Sequence, residues 1–551
     1  GRALGSALWA LLLAAAAGAA QAQRTSPRFE SAARLLESVD RLSDGRLRSG
    51  ERTELPILVR DVVNELRAEP EHVRDGVFVL LALAATGREV DALADRSERA
   101  GRQPHTDELA WFAALREARA LARDALRDLL GPREGPSDAR MLDVLARACA
   151  TRDEASLAQR PDTWHAQRLD AIELLGARPE PVATLALFTC LRGTDASIRA
   201  AAAIALAGRA EPAVDRTFAS ACEALTTARS TDPAADTALL GAATQHWRAR
   251  RGTLADAEAT RLARACARAF AGEDWKIALL AAQWALALPI ERAAPLLIEA
   301  LSSWQSRAEA GNGSRRVAGA LVAALETHSG RRIGHRVDWW RSWWEVRRKH
   351  GDRGLDAGGD TAVAGAPPGT AQFFGIELYS DRVVFVLDRS GSMQESLGTE
   401  ARTRYETALS ELRGCLYGLG EDARFNVIVF HSEARAWRTK LAVASKTSQR
   451  EALQWLEGQS PGGATDLQAG LDLVQPRDAD GKVKWTELEA DTVVVLCDGQ
   501  AQRPRSVETW LNENNPLGLL RICCVQIGNS GNGQLEELAS GSGGTFRRVE
   551  G

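Results

Sequence analysis

The chain has 551 residues, a formal net charge of −4 and eight cysteines. This length exceeds that of an ordinary single domain, and the small negative charge argues against a nucleic-acid binder and against a protein held on anionic membranes. The cysteines form no Cys-x-x-Cys pair and no regular framework, so we predict buried free thiols. A single disulfide from Cys497 to Cys523 or Cys524 is the alternative in an oxidising compartment.

Residues 1–22 have the pattern of a secretory signal peptide. Arg2 precedes the apolar run Leu8–Leu13 and several alanines, and Ala20-Gln21-Ala22 fits an A-x-A cleavage site. An uncleaved membrane anchor and a plain alanine-rich helix are the alternatives. Because the apolar run is shorter than the ~20 residues of a spanning helix, we predict cleavage after Ala22. The chain is then exported to the periplasm or the extracellular space, with no stable membrane insertion.

Helices dominate the predicted secondary structure from residue 30 to residue 348. Asp195-Ala196-Ser197-Ile198 and Asp274-Trp275-Lys276-Ile277 each open an amphipathic helix that is followed by another helix. The second motif follows the first by about two periods of ~40 residues, and Asp-x-x-Ile resembles the start of a HEAT helix pair. We therefore predict a HEAT-like solenoid that offers a curved surface to a protein, with an irregular α-bundle as the alternative.

Three tryptophans mark the predicted end of this helical region. Trp340, Trp343 and Trp344 fall at i, i+3 and i+4 on one helical face. This spacing favours a hydrophobic cap over a carbohydrate-binding platform. Residues 349–370 follow, and they are rich in Gly, Ala and Asp and contain Pro367-Pro368, which is typical of a flexible linker. We place the domain boundary inside this linker.

Apolar runs that alternate with helical segments predict a doubly wound α/β domain over residues 373–551. The expected helices lie near 402–419, 448–456, 467–474, 507–512 and 535–539. The expected strands are Val383–Leu387, Phe425–Phe430, Thr492–Cys497, Leu520–Ile527 and Thr545–Val549.

Five oxygen-bearing side chains fall where such a sheet gathers the carboxyl ends of its strands. Asp388 follows one buried strand, and Ser390 and Ser392 lie in the turn after it. Thr465 lies in a glycine-rich loop, and Asp498 follows a second buried strand. Two carboxylates and three hydroxyls are hard ligands that suit Mg²⁺, with Mn²⁺ or Ca²⁺ as alternatives, and they leave a position for an outside ligand.

These residues resemble the metal-ion-dependent adhesion site of the von Willebrand factor type A domain. The Asp-x-Ser-x-Ser motif of the family is matched by Asp388, Ser390 and Ser392, its loop threonine by Thr465 and its strand-end aspartate by Asp498. The resemblance covers about a third of the chain and implies a metal bound at the sheet edge. A type A fold with a degenerate, empty site is the alternative.

The resemblance also implies a function, that of an exported, non-enzymatic binding or adhesion protein. A protein partner would offer an Asp or Glu carboxylate that neutralises the remaining charge of the metal. Arg389 departs from this pattern, since its cation would either weaken metal binding or pair with an acidic partner. The alternative function is a subunit that assists an AAA+ ATPase or a metal-dependent assembly complex. An enzyme is not expected, because the sequence has no Gly-x-Ser-x-Gly motif and no zinc-type histidine spacing.

Overall fold

A computed structural model describes the greater part of the chain. The predicted signal peptide lies outside the described residues, and so do residues 352–370 of the predicted linker. None of the described helices is long and apolar enough to cross a membrane. The described residues are 30–43, 49–69, 73–86, 88, 106–131, 137–150, 161–226, 233–250, 254–351, 371–397, 402–477, 481, 483–499, 506–529 and 531–550.

The chain forms two compact units that divide between Arg209 and Ala210. This division differs from the predicted boundary at 349–370. The helices that follow Ala210 belong to the same unit as the α/β domain, because side chains near Arg315 and Arg316 pack against the edge of its sheet. Residues 349–350, which we assigned to the linker, continue the last helix of this region.

The first unit is entirely helical in its described residues. Each helix packs against the next one and often against the second next, so that apolar faces are covered from two sides. Asp195 starts the last of these helices, since its Oδ1 accepts hydrogen bonds from the backbone N–H groups of Ser197 and Ile198. The helices are α1 Glu30–Ser43, α2 Ser49–Ala68, α3 Val73–Thr86, α4 Thr106–Leu130, α5 Ala139–Ala150, α6 Pro161–Gly176, α7 Pro181–Leu191 and α8 Ala196–Ala207.

The second unit begins with further helices, which pack against the second next helix along the chain. Asp274 caps one of them through the backbone N–H of Lys276, as the Asp-x-x-Ile pattern predicted. Ile198 is buried but Ile277 is only half-buried, so the two motifs do not bury equivalent faces. The HEAT-like solenoid stays a prediction. The helices are α9 Pro212–Leu225, α10 Pro233–Ala249, α11 Asp256–Ala271, α12 Trp275–Trp284, α13 Ile290–Glu309, α14 Arg315–Ser329 and α15 Val337–His350.

The tryptophans of α15 cover the preceding helices. Trp340 and Trp343 are buried and meet edge to face, with ring centroids 5.6 Å apart, while Trp344 is half-buried. The Trp340 indole N–H donates to the Gly334 carbonyl at 2.8 Å. Helix α15 packs against α13. The predicted hydrophobic cap is therefore confirmed for Trp340 and Trp343.

The C-terminal part of this unit is a mixed sheet covered by helices, which confirms the predicted α/β class. The sheet order is β5-β4-β3-β7-β8-β9, and β6 also pairs with β4. Strands β4, β3, β7, β8 and β9 are parallel, whereas β5 and β6 are antiparallel to β4 and were not predicted. The strands are β1 Ala371–Phe373, β2 Ile376–Leu378, β3 Arg382–Asp388, β4 Arg424–Phe430, β5 Ala434–Ala436, β6 Ala442–Val443, β7 Thr492–Cys497, β8 Arg521–Ile527 and β9 Phe546–Val549.

Helices on the sheet close its core, as the apolar periodicity predicted. Tyr405, Ala408, Leu412 and Leu416 lie buried on one face of the first helix, while Leu409 of the same predicted face is half-buried. Strands β3 and β7 are buried along almost their whole length, which is typical of central parallel strands. The helices are α16 Arg404–Gly418, α17 Lys446–Glu457, α18 Leu467–Asp472, α19 Val507–Asn514 and α20 Gln534–Gly541.

All eight cysteines are buried and free, as predicted. The alternative disulfide is wrong because of the strand register. Cys523 lies opposite Val494 and Cys524 opposite Val495, whereas Cys497 lies opposite Gln526. Neither Cys523 nor Cys524 therefore lies directly opposite Cys497 on the neighbouring strand.

Charged groups attach the helical layer, which consists of helices α9 to α15, to the amino ends of the strands. Arg315 donates its backbone N–H to Asp381 at 2.7 Å and its guanidinium lies 3.1 Å from the same carboxylate. Asp491, which precedes β7, is fully buried and accepts hydrogen bonds from Ser380 Oγ and Thr492 Oγ1. Burial raises the pKa of Asp491 to about 6, although these two hydroxyls and the charge of Arg316 act in the opposite direction.

The raised pKa of Asp491 predicts a loss of stability with rising pH. The folded state holds the Asp491 proton up to about pH 6, whereas the unfolded chain releases it near ~3.9. Unfolding between these values releases a proton, so the free energy of unfolding should fall by up to ~3 kcal/mol from about pH 4 to about pH 6. Urea unfolding of the Asp491→Asn variant should lack this fall, because its amide stays neutral.

The exposed Asp338→Asn provides the matched control, and it should retain the pH profile of the wild type. Parallel pH profiles for wild type and Asp491→Asn would contradict the assignment of a buried, proton-holding Asp491.

Candidate metal centre

The candidate site lies where the connections of two neighbouring parallel strands diverge. The chain leaves β3 toward β4 on one side, and it leaves β7 toward β8 on the other. Such a divergence opens a crevice at the carboxyl ends of the two strands. The register pairs Leu387 with Leu496, so the next residues, Asp388 and Cys497, reach the same edge.

Asp388 ends β3 and is fully buried. Its Oδ1 accepts the Ser390 backbone N–H at 2.7 Å, and its Oδ2 accepts the Cys497 thiol at 3.0 Å. Both donors are neutral, so they orient the carboxylate without balancing its charge. Burial raises the pKa of Asp388, these hydrogen bonds lower it, and the nearby charge of Asp498 raises it further.

The two serines predicted to act with Asp388 are brought together by the turn that follows it. Residues Gly391–Gln394 form a short 3₁₀ helix, and the Oγ atoms of Ser390 and Ser392 lie 3.1 Å apart. Ser390 is buried and Ser392 is half-buried. One hydroxyl is thus enclosed beside the carboxylate while the other is nearer to solvent.

The loop that carries Thr465 is tied to this turn by two backbone hydrogen bonds. Gly391 N–H donates to the Gly463 carbonyl at 3.2 Å, and Gly462 N–H donates to the Arg389 carbonyl at 2.7 Å. Gly463 has φ +86°, and a Cβ at this position would lie 3.2 Å from His431 Nδ1. Glycine therefore permits the close approach. Thr465, which is buried, lies two residues after Gly463 in the same loop.

Asp498 follows β7 and is fully buried. Ligand atoms of Asp388, Cys497 and Asp498 all lie within 4.8 Å of one another. The next residue, Gly499, has φ +91°, and a Cβ there would lie 2.7 Å from Gly531 Cα. Only glycine fits this turn, which leads the chain away and leaves the two carboxylates adjacent.

Cys497 and Arg404 were not assigned to the site from the sequence. The pKa of Cys497 is raised well above its usual value by burial and by Asp388, so the thiol stays a hydrogen-bond donor. Arg404 Nη1 lies 3.4 Å from Asp498 Oδ2 and donates to the Ser392 carbonyl at 3.2 Å, while its Nη2 lies 2.8 Å from Glu395 Oε2. Cys497 could have been assigned to the site from its position next to Asp498 in the sequence, but nothing in the sequence pointed to Arg404.

Local capping fixes the position of Arg404 at the start of α16. Thr403 Oγ1 accepts the Glu406 backbone N–H at 3.1 Å, and the Glu406 carboxylate accepts the Thr403 N–H at 2.9 Å. This reciprocal pair is a capping box. It holds the first turn of α16, and with it the guanidinium, against the site.

Arg389, the noted departure from the family pattern, is held away from the two carboxylates. Its Nη1 donates to the Ser460 carbonyl at 3.1 Å, and its backbone N–H donates to the Phe430 carbonyl at 2.8 Å. Its charge contributes to lowering the pKa of His431, after burial. Arg404, rather than Arg389, is the cation that contacts Asp498.

The donor chemistry of this site fits a divalent cation. Two fully buried carboxylates repel each other, and a buried charge is costly unless it is paired. A cation between Asp388 and Asp498 would remove that cost, and the hydroxyls of Ser390 and Ser392 add neutral oxygens. Arg404 balances only part of the charge, from the side of Asp498.

Comparisons with known proteins match the α/β part of the chain. Residues 381–547 match the von Willebrand factor type A domain family. Inter-alpha-trypsin inhibitor heavy chain H4 from Homo sapiens is 30% identical over 182 residues, which are 32% of this chain and 19% of that protein. Human von Willebrand factor A domain-containing protein 3B is 23% identical over 179 residues, 32% of this chain and 12% of that protein. The chain thus spans a fifth or less of the length of these two relatives.

Two solved structures are also similar to about a third of the chain. A von Willebrand factor type A protein from Catenulispora acidiphila is 20% identical with a TM-score of 0.26, covering 32% of this chain and 40% of its own. The PilB minor pilin from Streptococcus sanguinis is 13% identical with a TM-score of 0.24, covering 35% of this chain and 62% of its own.

Proposed function

Because residues 381–547 form a von Willebrand factor type A domain, we propose that this chain is a binding protein that captures a protein partner through a divalent metal. The metal is Mg²⁺, with Mn²⁺ or Ca²⁺ as alternatives, and its ligands are Asp388, Ser390, Ser392, Thr465 and Asp498. The observation that carries this proposal is the convergence of two fully buried carboxylates at the carboxyl ends of β3 and β7.

The chemistry of the site favours a hard cation. Carboxylate and hydroxyl oxygens suit Mg²⁺, which keeps some of its waters and rarely sits in a closed protein cage. Cys497 donates its thiol hydrogen to Asp388 Oδ2 at 3.0 Å and so orients that carboxylate. An ion bound between the two carboxylates would supply a positive charge that attracts a further, outside ligand.

The partner group that suits this charge is a carboxylate. An Asp or Glu side chain from a protein can complete the coordination and neutralise the site. Ser392 is half-buried, which supports a coordination position open to solvent on its side of the site. We further propose that the chain is exported and that it acts without catalysing a reaction.

Mg²⁺ should stabilise the full-length chain, because a ligand that binds only the folded state adds to its stability, by ~2.7 kcal/mol at a hundredfold excess over Kd. The rise in melting temperature should disappear in Asp498→Asn and shrink in Ser392→Ala. It should grow in Arg404→Gln, which removes a cation 3.4 Å from Asp498. Differential scanning calorimetry with and without Mg²⁺ measures these shifts.

Ser540→Ala is the matched control for the serine variant, since Ser540 is an exposed residue of α20. Equal Mg²⁺ shifts in wild type, Asp498→Asn and Ser392→Ala would refute the assigned metal site.

Peptide selection should reveal the preference for a carboxylate. Phage that display random peptides are bound to the immobilised full-length chain in Mg²⁺ and eluted with EDTA. We expect the eluted peptides to share an Asp or Glu, and resynthesis with Asn or Gln in its place should weaken binding at least tenfold, ~1.4 kcal/mol. Peptides without a common acid, or the same peptides on Asp498→Asn, would argue against metal-mediated capture.

Export should leave a mature chain that begins at Gln23, as the apolar run and the Ala20-Gln21-Ala22 site predict. Cell fractionation followed by N-terminal sequencing tests this, and Leu12→Arg, which interrupts the apolar run, should retain the chain inside the cell. A cytoplasmic wild-type chain that still contains Leu8–Leu13 would overturn the export proposal and favour the assembly-complex alternative.

A further inference from the structure

A cavity of about 380 Å³ lies between the helical layer and the α/β domain, away from the metal site. Helices α12 and α14 form one wall, and the other is made by α19, the turn that follows it and the end of α20. A volume in the range of ~300–1,000 Å³ is typical of small-molecule sites. None of the five proposed metal ligands lines this cavity.

The wall from α12 and α14 combines small apolar residues with the polar Gln283, Arg316 and Thr327. Leu279 and Ala282 contribute from α12, and Ala320, Ala323 and Ala324 contribute from α14. Because alanine side chains are short, the two helices leave open space in front of the α/β domain. This surface suits an apolar group of a ligand.

Two arginines supply the charge of the cavity. Arg248 Nη2 donates to Gln283 Oε1 at 2.5 Å, and partial desolvation at the cavity edge lowers the pKa of this exposed side chain. Arg316 Nε is buried without a hydrogen-bond partner. Burial also lowers the pKa of Arg316, against the charge of Asp491. Among the described residues that line the cavity, none carries a carboxylate.

The opposite wall limits how much negative charge a ligand can carry. Leu511 and Asn512, near the end of α19, and Gly541, at the end of α20, line the cavity, so two helix carboxyl ends face it. Each such end carries a partial charge of about −0.5. A multiply charged phosphate would be repelled there, whereas one carboxylate can reach the two guanidiniums.

We propose that this cavity binds a small monocarboxylate with an apolar body. The carboxylate contacts Arg248 and Arg316, and the apolar body lies on the alanines of α14. Gly518, in the turn after α19, has φ +63°, and a Cβ there would lie 3.4 Å from Arg248 Nη2. Glycine thus keeps the turn close to the guanidinium. A ligand bound here joins the helical layer to the α/β domain.

Calorimetric titration of the full-length chain with hexanoate tests this site, with hexanamide and inorganic phosphate as comparison ligands. We expect saturable hexanoate binding with a Kd below ~1 mM, and at least tenfold weaker binding of hexanamide, which is ~1.4 kcal/mol. Phosphate should also bind at least tenfold more weakly, because of the helix ends.

Two variants locate the binding without disturbing the core, since Arg248 and Ala323 are exposed at the edge of the cavity. Arg248→Gln removes one guanidinium and Ala323→Leu fills space, so each should weaken hexanoate binding at least tenfold. Arg341→Gln and Ala213→Leu change the same residue types at exposed positions outside the cavity and should leave binding unchanged. Circular dichroism confirms that each variant is folded.

Four results would overturn the proposal. Equal binding of hexanamide would show that charge is not recognised, and tighter binding of phosphate would show a bare anion site. Absence of saturable hexanoate binding at ~10 mM, or equal binding by both cavity variants and both controls, would show that the cavity is not a carboxylate site. These measurements are made without a divalent metal, so their failure leaves the proposed metal function standing.

Discussion

Parallel pairing of β3 with β7 is the constraint on which the rest of this unit depends. The pairing brings Asp388 and Asp498 to one edge, and it does so within a sheet whose central strands are fully buried. Two carboxylates held this way repel each other, and neutral donors from Ser390 and Cys497 orient one of them without relieving the repulsion. The strand register thus brings two negative charges together, and a cation would stabilise this arrangement. Arg404 Nη1 lies 3.4 Å from Asp498 Oδ2.

The opposite ends of the same two strands hold the helical layer. Asp491 lies just before β7 and accepts hydrogen bonds from Ser380 and Thr492. The charge of Arg316 of α14 also acts on Asp491. Arg315 of the same helix pairs with Asp381 just before β3. These contacts attach the helices to the amino ends of β3 and β7, the two strands whose carboxyl ends lead into Asp388 and Asp498.

We propose two carboxylate-binding places in this unit, and they differ in the source of the positive charge. At the metal edge, a cation held by protein oxygens would attract an acidic side chain of a partner. In the cavity, the charge belongs to Arg248 and Arg316, and an alanine wall adds apolar contact. The first depends on a divalent metal and the second does not. The proposed metal site lies beside the half-buried Ser392, whereas the cavity lies between α12 and α14 on one side and α19 on the other.

The sequence by itself determined the local structure, and it predicted which oxygen-bearing side chains lie at the carboxyl ends of β3 and β7. Apolar runs predicted β3, β4, β7, β8 and β9 to within a residue or so, because a central parallel strand must be apolar on both faces. Glycines and hydroxyl residues after those runs predicted where the ligands would gather. The short antiparallel strands β5 and β6 were not predicted, because two or three partly exposed residues have no distinct periodicity.

Only the tertiary structure decided which distant groups meet. The helices after Ala210 belong to one compact unit with the sheet, and Arg315 of these helices pairs with Asp381 just before β3. Arg404 reaches Asp498 because the capped first turn of α16 lies over the end of β7, and Cys497 reaches Asp388 because of strand register. Local periodicity fixes helices and strands, whereas convergence of side chains depends on strand order and register, which are set by long-range packing.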